Sequence, residues 1–191
     1  LLQGELPTQE QFGQFQKNIN KYNYVAEEMK KIIDAFPRSA HPMGVLSTLT
    51  SALTAFNPTA VNVKSKEDLD HAAEMLIAKF SHLCAWTHRK TLGLPINHGD
   101  NSLNYVENFY KMTFRLPNQE FELDPVVVDA LDKILILHAD HEQNCSTSTV
   151  RMVGSAQTGL FASISAGVSA LWGPLHGGAN QAVIEMLEHI E

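Results

Sequence analysis

Cysteine is nearly absent from this 191-residue chain, which has only Cys84 and Cys145. Two thiols so far apart form neither a disulfide framework nor a zinc knuckle, and a reducing, cytoplasmic setting is the simpler expectation. Basic runs are missing too. Lys and Arg number 14 against 21 Asp and Glu, for a net charge of −7, so no cationic stripe exists to displace the counterions of a nucleic acid. An individual anionic ligand remains possible, because a local site can oppose the global sign. No stretch reads as a signal peptide, and no apolar run approaches the length of a membrane span. Hairpin dipeptides between alternating residues, a strand–helix–strand rhythm, internal repeats and low-complexity tracts are all lacking. What remains is 44% hydrophobic and 18% charged, the balance of an ordinary globular protein. A chain of this length can bury roughly 70% of its unfolded surface as one large domain or part of a bigger one.

Helical signals fill the chain. In "LPTQEQFGQFQ", Thr8 stands three residues before Gln11, a capping-box pattern. "SAHPMGVLSTLTSALTAF" puts Pro42 at a first helical position, with Val45, Leu46, Leu49 and Leu53 at helical spacing. "SKEDLDHAAEMLIAKFSHL" offers Ser65 as N-cap, then Leu69, Ala72, Ala73, Leu76, Ile77 and Phe80 on one face. Leu103, Val106, Phe109 and Tyr110 cluster in the same way. Asp124 and Pro125 open a further helix with a stripe of Val127, Val128, Leu131, Ile134 and Leu135. Its "VVV" and "ILIL" runs suit a strand, but cap, length and spacing favour helix. "GLFASISAGVSALWG" is rich in Ala, Ser and Gly, so neighbouring helices can approach it closely. Residues 89 to 102, "RKTLGLPINHGDNS", form the clearest loop. The expected fold class is all-α. The chain opens on Leu1 rather than Met, and its last helix reaches Ile190 and Glu191 without a stop signal. Both features predict a fragment.

Nine histidines invite a metal reading. The densest group is "LHADHEQNCSTSTVR", holding His138, Asp140, His141, Glu142 and Asn144. On a continuing helix His138 and His141 share a face, whereas Asp140 and Glu142 point elsewhere. The spacing differs from the His-Glu-x-x-His pattern of zinc hydrolases, and a metal would need a third ligand such as His176. A second reading is a helix C-terminus whose histidines satisfy terminal carbonyls. A third is a polar pocket for a small carboxylate or carbonyl compound.

His176 sits in "LWGPLHGGAN", ahead of a helix that Ala179, Ala182, Val183, Met186, Leu187 and Ile190 mark as starting near Gly178. A helix start carries free N–H groups and favours the uncharged form of an imidazole. Gly177 and Gly178 carry no side chain to keep a ligand from that backbone. Neutral imidazole with backbone donors suits an enolate; the alternative is a glycine-rich turn with an incidental histidine.

"LHADHEQNCSTSTVR" followed by "LWGPLHGGAN", with "HPM" well upstream, resembles citrate synthase, and specifically the bacterial type common in Gram-negative organisms. The similarity runs from "GELPTQEQ" through "HPMGVLS" and "NYVENFYKMTF" to the end. The resemblance implies a multi-helical fold and condensation of acetyl-CoA with oxaloacetate to citrate and CoA in the tricarboxylic acid cycle. It also implies a homodimer or hexamer, and inhibition by NADH, for which the region of Arg38 and His41 is the first place to look. His176 becomes the residue that stabilises the acetyl-CoA enol(ate). His141 becomes an oxaloacetate-binding histidine, with His138 and Asn144 lining the same region and Arg151 a further candidate there. Gly177, Gly178 and Ala179 fall beside acetyl-CoA. Neither a metal nor a resident cofactor is implied, acetyl-CoA being a cosubstrate. The family's second catalytic histidine, in a "GHRVY"-type motif, and its catalytic aspartate are not found in these residues. Residues 1–191 therefore read as part of the large domain, inactive alone. The alternatives are 2-methylcitrate synthase, which uses propionyl-CoA, and a catalytically incomplete helical assembly fragment.

Overall fold

The computed structural model describes residues 2–140 and 142–190, and among these it contains helices and turns but no strand. Helix α1 (Gln9–Tyr22) starts at the expected capping box: Gln11 N–H donates to Thr8 Oγ1 at 3.3 Å and Thr8 N–H to Gln11 Oε1 at 2.7 Å. The short α2 (Glu28–Asp34) has no side-chain cap and is held by burying Met29 and Ile33. In α3 (Pro42–Phe56) Pro42 begins the helix as expected, and His41 Nδ1 accepts the Met43 N–H at 3.2 Å. A 3-10 turn (Pro58–Val61) leads to α4 (Lys66–Leu92), where Ser65 Oγ accepts from Asp68 N–H.

The loop expected over 89–102 begins later than its composition suggested. Arg89 to Leu92 form the last turn of α4, where basic side chains suit the negative end of the helix dipole. The stop is Gly93 at φ +69°, with the Leu94 N–H closing onto Arg89 O at 2.9 Å. Asn104 and Glu107 form a second capping box for α5 (Tyr105–Phe114), which leaves Leu103 outside the helix. Asp124 caps α6 (Pro125–Leu137) through the Val126 N–H at 2.8 Å. Three helices complete the chain: α7 (Cys145–Gly154), α8 (Leu160–Leu171) and α9 (Gly178–Glu188).

The long α4 is flanked by α1, α3 and α5, and α8 lies between α3 and α7. Met29, Ile33, Leu49, Leu53, Leu83, Trp86 and Phe161 are fully buried at the centre. The small residues of α8 allow the close approach that composition predicts. Ser165 Oγ donates to Ser47 O at 2.7 Å, and Ser47 Oγ meets Ser169 Oγ at 2.6 Å. The apolar stripes of α6 and α9 behave differently: neither helix has a buried residue, and Ile134 stays 49% exposed and Met186 52%. Amphipathic spacing marks a face for burial, but among the described residues α5 covers α6 only in part and α9 stays exposed. Among the described residues no helix is long and apolar enough to cross a membrane.

One buried group gives the fold a pH dependence. His82 on α4 is 2% exposed, its Nδ1–H donates to Ala78 O at 3.3 Å, and its ring meets the indole of Trp86 edge-on. Burial, reinforced by the nearby charges of Lys79 and His98, pushes the imidazole down to about 4 from its usual 6.5. The folded state therefore keeps His82 neutral, while the unfolded chain takes up a proton below 6.5. The stabilisation is whole above pH 6.5 and is lost as pH falls toward 4, with a slope up to about 1.4 kcal/mol per pH unit. Urea unfolding of the native chain and His82→Leu across pH 4–7 should show the variant with the shallower dependence. Parallel curves would contradict the assignment.

Candidate functional site

Four helix ends meet the two histidine motifs. The first motif begins where α6 stops. His138 is the C-cap of α6, and its Nδ1–H donates to Ile134 O at 2.8 Å, a carbonyl that can only accept. This matches the reading in which a histidine satisfies a helix terminus. The helix does not continue past Leu137. Instead Asp140 Oδ1 accepts the Glu142 N–H at 3.0 Å, and Glu142 turns into the left-handed region at φ +58°. His141 itself lies outside the described residues. Asn144, half-buried, is the N-cap of α7, its Oδ1 accepting from Thr147 N–H at 2.9 Å. Its carboxamide nitrogen has no partner among the described residues. Arg151 lies exposed, more than a turn further along α7.

The second motif begins where α8 stops. After Trp172 the backbone folds tightly: Gly173 O accepts from both His176 N–H, at 3.0 Å, and Gly178 N–H, at 3.2 Å, while Gly177 N–H donates to Leu171 O at 3.0 Å. A Cβ on Gly177 would stand 2.3 Å from Leu171 O. The missing side chain lets the turn close on the end of α8. Gly178 has only ordinary contacts around a Cβ position. Of the amides of Gly177, Gly178 and Ala179, the first two are spent within the turn, and Ala179 N–H is left without a partner among the described residues.

The two motifs meet through Ser146, in the first turn of α7. Its hydroxyl lies 2.7 Å from His176 Nε2 and 2.9 Å from Gly167 O on α8. The carbonyl only accepts, and the hydroxyl has one proton. For a neutral ring, either that proton goes to Gly167 O and Nε2–H donates to the serine, or it goes to Nε2 and the ring proton sits on Nδ1. His176 is half-buried, and Nδ1 has no partner among the described residues. No sequence rule singles out Ser146, because its contact joins residues thirty apart. The "HPM" segment arrives as well: the ring of His41 stacks on Trp172 with centroids 5.0 Å apart, just ahead of the histidine turn. Arg38 is elsewhere, its guanidinium packed over Gly93.

Among the described residues no group of three His, Cys, Asp or Glu side chains is placed to hold a metal ion. Both cysteines are free, and burial pushes the Cys84 thiol up to about 12, far from a reactive thiolate. Clefts of about 510 and 380 Å³ lie away from the histidine turn, one lined by Lys111 and Arg115 and the other by acidic residues of α4.

An imidazole held by a serine hydroxyl near a helix start, with the other ring nitrogen without a partner among the described residues, can present a rigid donor to a developing oxyanion. The comparisons narrow this. The family model "Citrate synthase, C-terminal domain" matches residues 1–191, and the chain belongs to the citrate synthase family. It is 50% identical over 190 residues to citrate synthase 1 of Mycobacterium tuberculosis and 50% identical over 191 residues to citrate synthase of Corynebacterium glutamicum. Each alignment takes in 100% of this chain and 44% of the relative, so the chain spans less than half the relatives' length. These relatives are bacterial; they do not show the Gram-negative type. Among solved structures, citrate synthase of Pyrobaculum aerophilum superposes with a TM-score of 0.88 at 30% identity, over 99% of this chain and 48% of that one. The citrate synthase of Thermoplasma acidophilum, in ternary complex with carboxymethyl coenzyme A and oxaloacetate, gives 0.87 at 25% identity, over 100% and 48%.

Proposed function

We propose that this chain is a large-domain segment of a citrate synthase, and that the intact protein condenses acetyl-CoA with oxaloacetate and water to give citrate and free CoA. The observation that carries the proposal is the His176 ring, fixed at Nε2 by Ser146 with Nδ1 open beside the start of α9. Removing a proton from the thioester methyl moves charge onto the carbonyl oxygen. A donor already aimed at that oxygen stabilises the enol(ate) more than the ground-state thioester. To donate from Nδ1, the neutral ring must accept at Nε2, so the serine proton turns from Gly167 O to the imidazole. That carbonyl keeps the partner that helix geometry gives it.

On this reading His141, His138 and Asn144 serve oxaloacetate, and the carboxamide hydrogens of Asn144, without a partner among the described residues, suit a dianion. Gly177, Gly178 and Ala179 face the acetyl-CoA side, with the Ala179 N–H as the available donor. The proton-abstracting base and further anion-binding groups come from outside these 191 residues. Membership of the family and the coenzyme A analogue and oxaloacetate held by the Thermoplasma acidophilum relative support this reading. Its narrower parts are a cytoplasmic homodimer or hexamer of the Gram-negative type, with NADH as an inhibitor.

The test is release of CoA thiol by the intact protein. Release from acetyl-CoA that depends on oxaloacetate is expected, and release indifferent to oxaloacetate, or none, overturns the proposal. Propionyl-CoA run alongside separates 2-methylcitrate synthesis by the ratio of rates, because one methyl group is worth only ~1–3 kcal/mol of discrimination. NADH added to the same assay should slow it, and indifference to NADH removes that part of the reading.

A further inference from the structure

We propose that Gly167 is a positioning residue for His176: the bare face it gives α8 lets α7 settle close enough for Ser146 to bridge Gly167 O and the imidazole. The inference deepens the role proposed for His176 and rests on it for its functional meaning, although the geometry stands alone. Gly167 is buried in the middle of α8, with an ordinary helical backbone. Nothing in its φ asks for glycine, and alanine is the better helix former. The reason for glycine is therefore across the interface. A Cβ built there would stand 2.6 Å from Val150 Cγ2, 3.6 Å from Ser146 O and 3.9 Å from Ser146 Cβ. All three atoms belong to α7, and two belong to the residue that holds the histidine.

Val150 cannot move aside easily, since a β-branched side chain in a helix is largely confined to one rotamer. An added methyl group therefore acts on the helix, lifting α7 away from α8. Ser146 is in the first turn of that helix, one turn before Val150. Its hydroxyl oxygen lies 2.9 Å from Gly167 O and 2.7 Å from His176 Nε2, and His176 follows the C-terminal end of α8. Separation of α7 and α8 by a few tenths of an ångström stretches both distances together, because one oxygen sets them. Gly167 thus sets the distance, Ser146 transmits it and His176 receives it.

The experiment reads the imidazole directly. Nitrogen-15 NMR of His176 in the chain reports which ring nitrogen carries the proton and how the ring titrates. Ser146→Ala supplies the reference for a ring without its serine bond. Gly167→Ala is expected to move the His176 signals and titration midpoint from the native values to those of Ser146→Ala. Combining Gly167→Ala with Val150→Ala, which removes the obstructing Cγ2, is expected to restore the native values. Native signals in Gly167→Ala overturn the proposal, as do Ser146→Ala-like signals in the double variant. Should Gly167→Ala alone fail to fold, the double variant decides by the same criterion. None of these readouts depends on turnover, so a failure of the citrate synthase proposal would show in the CoA-release assay and leave the ring measurements as they are.

Discussion

Replacing His176 by alanine in the intact protein is expected to lower kcat by about 10²–10³-fold, the usual cost of removing one preorganised oxyanion donor. The fall should appear equally in kcat and in kcat/KM for acetyl-CoA, because a bond that strengthens as the enol(ate) forms contributes little to binding the ground-state thioester. Folding should be nearly untouched. The ring is half-buried, its one side-chain hydrogen bond among the described residues is to Ser146, and the His176 N–H to Gly173 O bond of the turn belongs to the backbone. Steady-state kinetics together with a thermal melt make the check. A variant that keeps kcat within a few-fold of the native value, with an unchanged melt, would leave the site without its central donor. A rise in KM alone would mean that His176 binds substrate without favouring the transition state.

How much of this was legible in the sequence depends on how far apart the interacting groups are. Thr8, Pro42, Ser65 and Asp124 mark helix starts correctly because a cap bonds to amides two or three residues away, and residue type alone specifies it. The start of α2 has no such device, since Glu27 caps nothing with its side chain and tertiary burial alone stabilises the helix. The end of α6 was hidden for a related reason. "ILILHADHE" contains no glycine or proline, and the stop comes from a His138 cap followed by an Asp140 turn and a left-handed Glu142, a conformation that non-glycine residues seldom adopt. His176 stood out because glycines flank it. Ser146 did not, because a serine among serines and threonines acquires its role only when a second helix brings an imidazole to it.

The same limit governs the apolar stripes. Spacing told which faces of α6 and α9 are apolar; it is silent on what meets them, and among the described residues α5 covers α6 only in part while α9 stays exposed. The proposed site is partial in a similar way: on that reading these residues give an oxyanion donor and part of an anion-binding edge, and the proton-abstracting base comes from the rest of the intact protein.

Gly177→Ala is expected to damage the histidine turn in two ways at once. The added Cβ would stand 2.3 Å from Leu171 O and 2.8 Å from Leu171 Cδ1. The carbonyl belongs to the backbone of α8 and has no rotamer by which to retreat, so the turn itself must shift. Overpacking of this kind costs ~1–3 kcal/mol, and losing the 3.0 Å bond from Gly177 N–H to Leu171 O adds roughly 1 kcal/mol. The neighbour of Gly177 in the chain is His176, so relief of the clash displaces the imidazole. A misplacement of about 1 Å in a positioned catalytic group lowers rates by about 10²-fold. The variant should therefore melt earlier than the native protein and lose about two decades in kcat, whereas Gly178→Ala, whose Cβ meets nothing closer than 3.5 Å, should do neither to the same degree. Melting curves and CoA-release rates of the two alanine variants make the comparison. Equal effects at 177 and 178 would show that the bareness of this turn serves the approaching ligand and not the closure of the chain onto α8.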